Sequence, residues 1–163
     1  MTLTASVEPI QKPPESARAV LPESARALQL LWLQVAQRPW SSLLLVPTHA
    51  GASTFDFAVR LTEVGRNSTT TRLVLADARS VSLESVLRVK EGIATHVGQG
   101  ARILVLVDPV VENPATLEIA RVTDAALLCI TYGQTDVDTA RRTLDLCGRE
   151  LFLGSVAVHA PTK

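Results

Sequence analysis

The chain has 163 residues, 47% of them hydrophobic, which suits one compact domain with its own core. Sixteen basic and sixteen acidic residues leave no formal net charge, so no broad field draws the molecule to nucleic acid or to an anionic membrane. Two Cys, at 129 and 147, have no metal-type spacing, the N-terminus has no basic-then-apolar secretory pattern, and no apolar run approaches the ~20 residues that span a bilayer. A soluble, cytoplasmic protein is expected.

Residues 1–22 read as a flexible, Pro-containing leader and 23–163 as the folded domain. The leader holds Pro14-Glu15-Ser16-Ala17-Arg18-Ala19, which recurs as Pro22-Glu23-Ser24-Ala25-Arg26-Ala27. One repetition does not make a solenoid. From Ser24 the residues Leu28, Leu31, Trp32 and Val35 recur at helical spacing, and Pro39 stops that helix. Trp32 and Trp40 are expected as packing or interface anchors.

A regular alternation follows. Leu43–Val46 is a strand, Phe55–Val64 a helix ended by Gly65, and Arg72–Ala76 a second strand. Leu83, Val86, Leu87, Ile93, Ala94 and Val97 mark a helix ended by Gly98 and Gly100, and Ile103–Val107 is the third strand. A short helix with Leu117, Ala120 and Arg121 follows Pro114, and Ala126–Ile130 is the fourth strand. Asp136–Cys147 is a helix ended by Gly148, and the fifth strand lies within Leu151–Val158. Strands alternating with helices imply a parallel sheet, and continuous apolar strands imply helices on both faces. The expected fold is a single doubly wound α/β domain with a five-stranded, mainly parallel sheet.

The sharpest local signal is the loop after the first strand. Pro47-Thr48-His49-Ala50-Gly51-Ala52-Ser53-Thr54 stands where a strand–loop–helix phosphate site would sit. Such a loop ends Gly-Lys-Ser/Thr, and its Lys reaches the outer phosphates. Here the ending is Gly51-Ala52-Ser53, so the cation is missing. Gly51 and Ser53 can still cradle an anion through backbone N–H groups, or Gly51 serves a tight turn while Ser53 or Thr54 caps the helix. In doubly wound sheets, ligands gather beyond the carboxyl ends of the strands. Those ends also carry Asp77, Arg79 and Asp108. Asp108 either holds a metal or caps the turn that follows it, and the turn is favoured. His49, His96 and His159 have no metal or triad spacing in the sequence; His49 is expected as a solvated loop residue and His96 on a helix exterior. Both Cys are expected as core or boundary residues rather than reactive thiols.

From Pro22 to Val158 the order of motifs resembles the cytoplasmic domain of bacterial tyrosine kinases. These are P-loop ATPase-like kinases of capsule and exopolysaccharide export, related to the MinD/ParA ATPases. The family's Glu-x-x-Arg-x-x-Arg helix, which mediates ring assembly, is matched by Glu23, Arg26 and, in place of the last Arg, Gln29. Its Asp-Ala-Asp-Leu-Arg motif is matched by Leu75-Ala76-Asp77-Ala78-Arg79, one carboxylate short in either alignment, and its Walker B Asp by Asp108-Pro109. Ala120–Leu128, Gly133-Gln134-Thr135 and Gly154-Ser155-Val156 match later segments. The departures are Ala52 for the phosphate Lys, the missing carboxylate, a short region before Asp108, Val158 at a base-contacting position, and Tyr132 as the single Tyr where the family has a Tyr-rich tail.

The resemblance implies a pseudokinase: no catalytic residue, no metal, no required cofactor, with weak anion or nucleotide binding left open. It implies a scaffold or regulator of exopolysaccharide synthesis and export that acts beside a membrane polysaccharide co-polymerase or an assembly kinase, peripheral to the inner membrane. Glu23, Arg26 and Gln29 form either a solvated stripe or a homo-oligomer interface. The alternatives are an active ATPase or tyrosine kinase with an atypical loop, and a MinD/ParA-like positioning protein. Loss of the Lys at Ala52 argues against both.

Overall fold

The structure, a computed structural model, describes residues 2–4, 23–134 and 136–159. Most of the leader, including the first copy of its repeat, lies outside those residues, as do Thr135 and the side chains of Glu23, Ala52 and Ser53.

The elements run β1 (Thr2–Thr4), α1 (Glu23–Ala36), β2 (Ser42–Pro47), α2 (Ala52–Ser68), β3 (Leu73–Asp77), α3 (Val86–Gly98), β4 (Arg102–Leu106), α4 (Ala115–Ala120), β5 (Ala125–Thr131), α5 (Val137–Cys147) and β6 (Phe152–Val158). The sheet order is β1-β3-β4-β2-β5-β6. β2 to β6 are parallel, as the alternation of strands and helices implies. A sixth strand was not foreseen: β1 pairs antiparallel with β3, Thr2 opposite Asp77 and Thr4 opposite Leu75. Its three residues are too few to carry a periodic signal.

β2 is buried along its whole length because helices cover both faces. Its residues alternate between two cores. Leu44 and Val46 join Val74, Ile103, Val105, Val89, Ile93 and Ile119 on the side of α3 and α4. Leu43 and Leu45 join Leu75, Leu104, Leu106, Trp32, Val35 and Leu61 on the side of α1 and α2. Burying each such side chain contributes on the order of 1.5–3 kcal/mol before the chain entropy is counted. Trp32 and Trp40 are core residues, edge to face at 6.2 Å, and the Trp40 indole N–H donates to the Val35 carbonyl. The Arg102 guanidinium caps the Trp40 ring at 3.8 Å.

Three sequence expectations are corrected. Gly65 does not end α2, which runs on to Ser68. It sits inside the helix because a Cβ there would lie 2.5 Å from Leu73 Cδ2 and 2.8 Å from Trp32. The helix marked from Leu83 begins at Val86; its buried face is Val86, Val89 and Ile93, while Leu83, Leu87 and Ala94 are exposed. His96 is half-buried, and its Nδ1 is enclosed without a hydrogen-bond partner. Gly148, at φ +94, does end α5, where an L side chain would be strained.

Candidate functional site

β2 is the central strand, flanked by β4 and β5, so its C-terminal loop opens at the crevice expected of a doubly wound sheet. A cleft of about 390 Å³ lies there. Pro47, Ala50 and Gly51 line it from the loop after β2, Asp77, Arg79 and Ser80 from the end of β3, and Leu106, Asp108 and Pro109 from the end of β4. The folding that brings these three strand ends together therefore unites the loop after β2 with both acidic segments.

The loop is anchored from below. Thr48 donates its backbone N–H to the Cys129 carbonyl at 3.1 Å, which ties the loop to β5. Gly51 precedes α2 in an extended conformation (φ 168), which any residue can adopt, so no tight turn requires this glycine. The N-cap position of α2 is Gly51, which has no side chain to cap the helix, and the side chain of Ser53 lies outside the described ones. Thr54 is buried, and its Oγ1 has no hydrogen-bond partner. His49 is half-buried rather than solvated, with Nε2 enclosed and likewise without a partner.

Asp77 and Arg79 form a closed fork. Asp77 Oδ1 accepts from the Arg79 backbone N–H at 3.1 Å and from Nε at 2.9 Å, and Oδ2 accepts from Nη2 at 2.8 Å. Bidentate pairing of this kind is strong and directional. Hydrogen bonding to the Arg79 side chain holds the Asp77 carboxyl below its ordinary range, and the same bond raises Arg79. The guanidinium also stacks on the Phe55 ring at 4.6 Å, so it spans from the end of β3 to the first turn of α2. Phe55 carries no motif signature and was not singled out in the sequence.

Asp108 holds both an earlier loop and the turn that follows it. Its Oδ2 accepts from the Ser80 backbone N–H at 2.6 Å and from Asn113 Nδ2 at 3.0 Å. Asn113 Nδ2 donates further to the Val81 carbonyl at 3.0 Å, and Asn113 Oδ1 accepts from the Ala115 N–H at 3.0 Å. Ser80 has φ +61, the one positive φ of a non-glycine residue among the described residues. Asp108 thus holds a loop in a conformation that costs an L residue roughly 1–2 kcal/mol. The turn that follows Asp108 closes through backbone bonds from Glu112 and Asn113 to the Pro109 carbonyl.

The charges in the cleft lining are two carboxylates and one guanidinium, and the guanidinium is paired. A polyphosphate would meet an acidic cleft with Ala52 where a phosphate Lys is needed. Within the cleft both Asp77 oxygens bind Arg79, and Asp108 Oδ2 accepts two hydrogen bonds. Among the described residues no group of three His, Cys, Asp or Glu side chains could hold a metal ion.

The remaining candidates lie apart from the cleft lining. Glu23 opens α1, and Arg26 and Gln29 are exposed on that helix beside exposed Leu30 and Leu33. His159 is exposed, with its ring 5.8 Å from Tyr132. Burial pushes the Cys129 thiol up to about 12 and the half-buried Cys147 up to about 11, in keeping with one core and one boundary residue. No helix among the described residues is long and apolar enough to cross a membrane.

No protein-family model matches this sequence, and no curated protein matches it. Solved structures do resemble its fold. The kinase domain of the Escherichia coli tyrosine kinase ETK superposes with a TM-score of 0.68 at 12% identity, over 86% of this chain and 78% of that one. The BceF tyrosine kinase domain superposes with a TM-score of 0.55 at 13% identity, over 84% and 75%. At such identities the likeness is one of architecture: the chain has the P-loop-type α/β fold of bacterial tyrosine kinase domains.

Proposed function

We propose that this protein is a catalytically silent relative of the bacterial tyrosine kinases that serves as a scaffold or regulator in exopolysaccharide assembly. The observation that carries the reading is how the acidic side chains are used. Asp77 is forked to Arg79 and Asp108 staples Ser80 and Asn113, so both serve the protein's own loops. Phosphoryl transfer is catalysed mainly by cations placed on the developing charge, and Ala52 offers none. The resemblance in motif order motivates the proposed partner, a membrane co-polymerase or an assembly kinase, and the kinase-like fold is compatible with it. A fold retained without its chemistry is best explained by a retained binding surface. The loop ends around Pro47–Ser53, Asp77–Arg79 and 108–112 are that surface in this reading, and the exposed α1 residues Arg26, Gln29, Leu30 and Leu33 offer a second for a partner or another copy.

One observation favours a weaker second reading. The partnerless Thr54 Oγ1 lies in the first turn of α2, beside N–H groups that attract anions. Weak anion binding is compatible with a scaffold.

The genetic test uses Asp108→Asn, which removes the carboxylate and keeps an acceptor for the staple. Deletion of the gene is expected to reduce exopolysaccharide output, and the Asp108→Asn gene to restore it. A folded, partner-binding Asp108→Asn protein that reproduced the deletion phenotype would point to catalysis instead.

A further inference from the structure

The two edges of the sheet differ. On one side β3 is covered by β1. On the other, among the described residues, β6 pairs with β5 alone. β6 has seven residues, Phe-Leu-Gly-Ser-Val-Ala-Val, with neither a charge nor a proline. An open apolar edge of that length is a template for another strand, and natural proteins blunt such edges with Lys, Pro, a bulge or brevity. β6 has none of these along its middle. Its one irregularity lies at its start, against Ala126 and Leu127, and Gly154–Val158 keep regular register.

A single hydrogen bond fixes which groups face out. The Val158 carbonyl accepts from the Tyr132 N–H at 3.0 Å, so Val158 directs its backbone toward β5. In a strand the N–H and C=O of one residue point to the same side, and the side alternates. Ser155 and Ala157 therefore direct theirs outward. Both residues are small and exposed, as is Gly154 beside Ser155.

We infer that β6 is an assembly edge whose occupant is β6 of a second copy, paired antiparallel about a two-fold axis. Electrostatics favour a copy of this chain. An uncharged strand laid against itself sets no like charges opposite one another, and two molecules of zero net charge do not repel on approach. The geometry is self-complementary, because the outward N–H and C=O of Ser155 and Ala157 meet the same groups of the other copy. Pairing would join the two sheets into one and remove the open edge. The inference rests on the edge alone and stands whether or not the degenerate loop binds nucleotide.

Sedimentation velocity on the full chain, across a roughly hundredfold concentration range, is expected to show a reversible monomer–dimer equilibrium. Ser155→Pro removes an outward N–H and leaves the β5 ladder intact. Ala157→Lys sets like charges near the two-fold axis. Each is expected to weaken dimerisation about tenfold or more, with circular dichroism unchanged. Hydrogen exchange on the unmodified protein gives a readout that needs no variant: protection of the Ser155 and Ala157 amides is expected to rise with concentration. A monomer throughout the range, exchange at those amides independent of concentration, or a dimer that survives both substitutions but not Arg26→Ala would overturn the inference.

Discussion

Asp77 and Asp108 end neighbouring strands and look alike in sequence, yet each is held by a different kind of partner. Asp77 binds a side chain two residues away, a pairing visible in the spacing Asp-Ala-Arg. Asp108 binds Ser80, 28 residues earlier, and Asn113, five later. Neither that staple nor the stacking of Phe55 on Arg79 leaves a local trace, so Asn113 and Phe55 are not legible in the sequence while Arg79 is. The Asp108 staple predicts a stability cost without any loss of chemistry. Asp108→Ala removes the acceptor of the exposed Ser80 N–H and one of the two acceptors of the Asn113 amide, and urea denaturation should show about 0.5–1.5 kcal/mol of destabilisation. Asp108→Asn, which keeps an acceptor, should recover most of it. Asp77 predicts a pH effect. Its folded pKa is depressed, chiefly by the Arg79 hydrogen bond, so its stabilisation is present above the unfolded value near 3.8 and is lost as pH falls through the lower folded value. Acid unfolding of the wild type should therefore steepen below about pH 4 relative to Asp77→Asn, and the two should lie parallel above about pH 5.

Among the elements, the strands were the most legible. Leu43–Val46, Ile103–Val107 and Ala126–Ile130 are apolar without interruption, and only a strand covered on both faces uses such a run. Helix faces were less legible, because apolar residues also occur on exposed faces. Leu83 and Leu87 carry the right spacing but are 55% and 62% exposed. Gly65 was misread for a related reason: a glycine that admits Trp32 and Leu73 looks in sequence like one that ends a helix. The distinction is measurable. Alanine is the better helix former by roughly 1 kcal/mol, so an exposed Gly65 within the helix would gain from Gly65→Ala. The packed position should instead lose about 1–3 kcal/mol, because the new Cβ would overlap side chains fixed in the core. Thermal or urea unfolding decides the sign.

At the scale of the whole molecule, the fold was legible because every level agreed: apolar runs, helix stops and a strand–loop–helix frame all point to a doubly wound sheet. The function is harder to read, since one frame serves both active and silent proteins and the difference lies in a few side chains. Ala52 was the legible part. The engagement of Asp77 and Asp108 became visible only when strand ends far apart in sequence were brought to one cleft. Together they describe a P-loop-type domain whose loop lacks its cation and whose carboxylates hold neighbouring loops in place. The central claim is that this cleft does not use nucleotide, and titration calorimetry with Mg-ATP and Mg-ADP on the purified protein tests it most directly. The expected result is no measurable binding at micromolar to submillimolar nucleotide, in the wild type and in Ala52→Lys alike, because a restored Lys would still face an engaged Asp77 and Asp108. Saturable micromolar binding by the wild type, lost in Asp108→Asn, would contradict the account and restore an active ATPase or kinase.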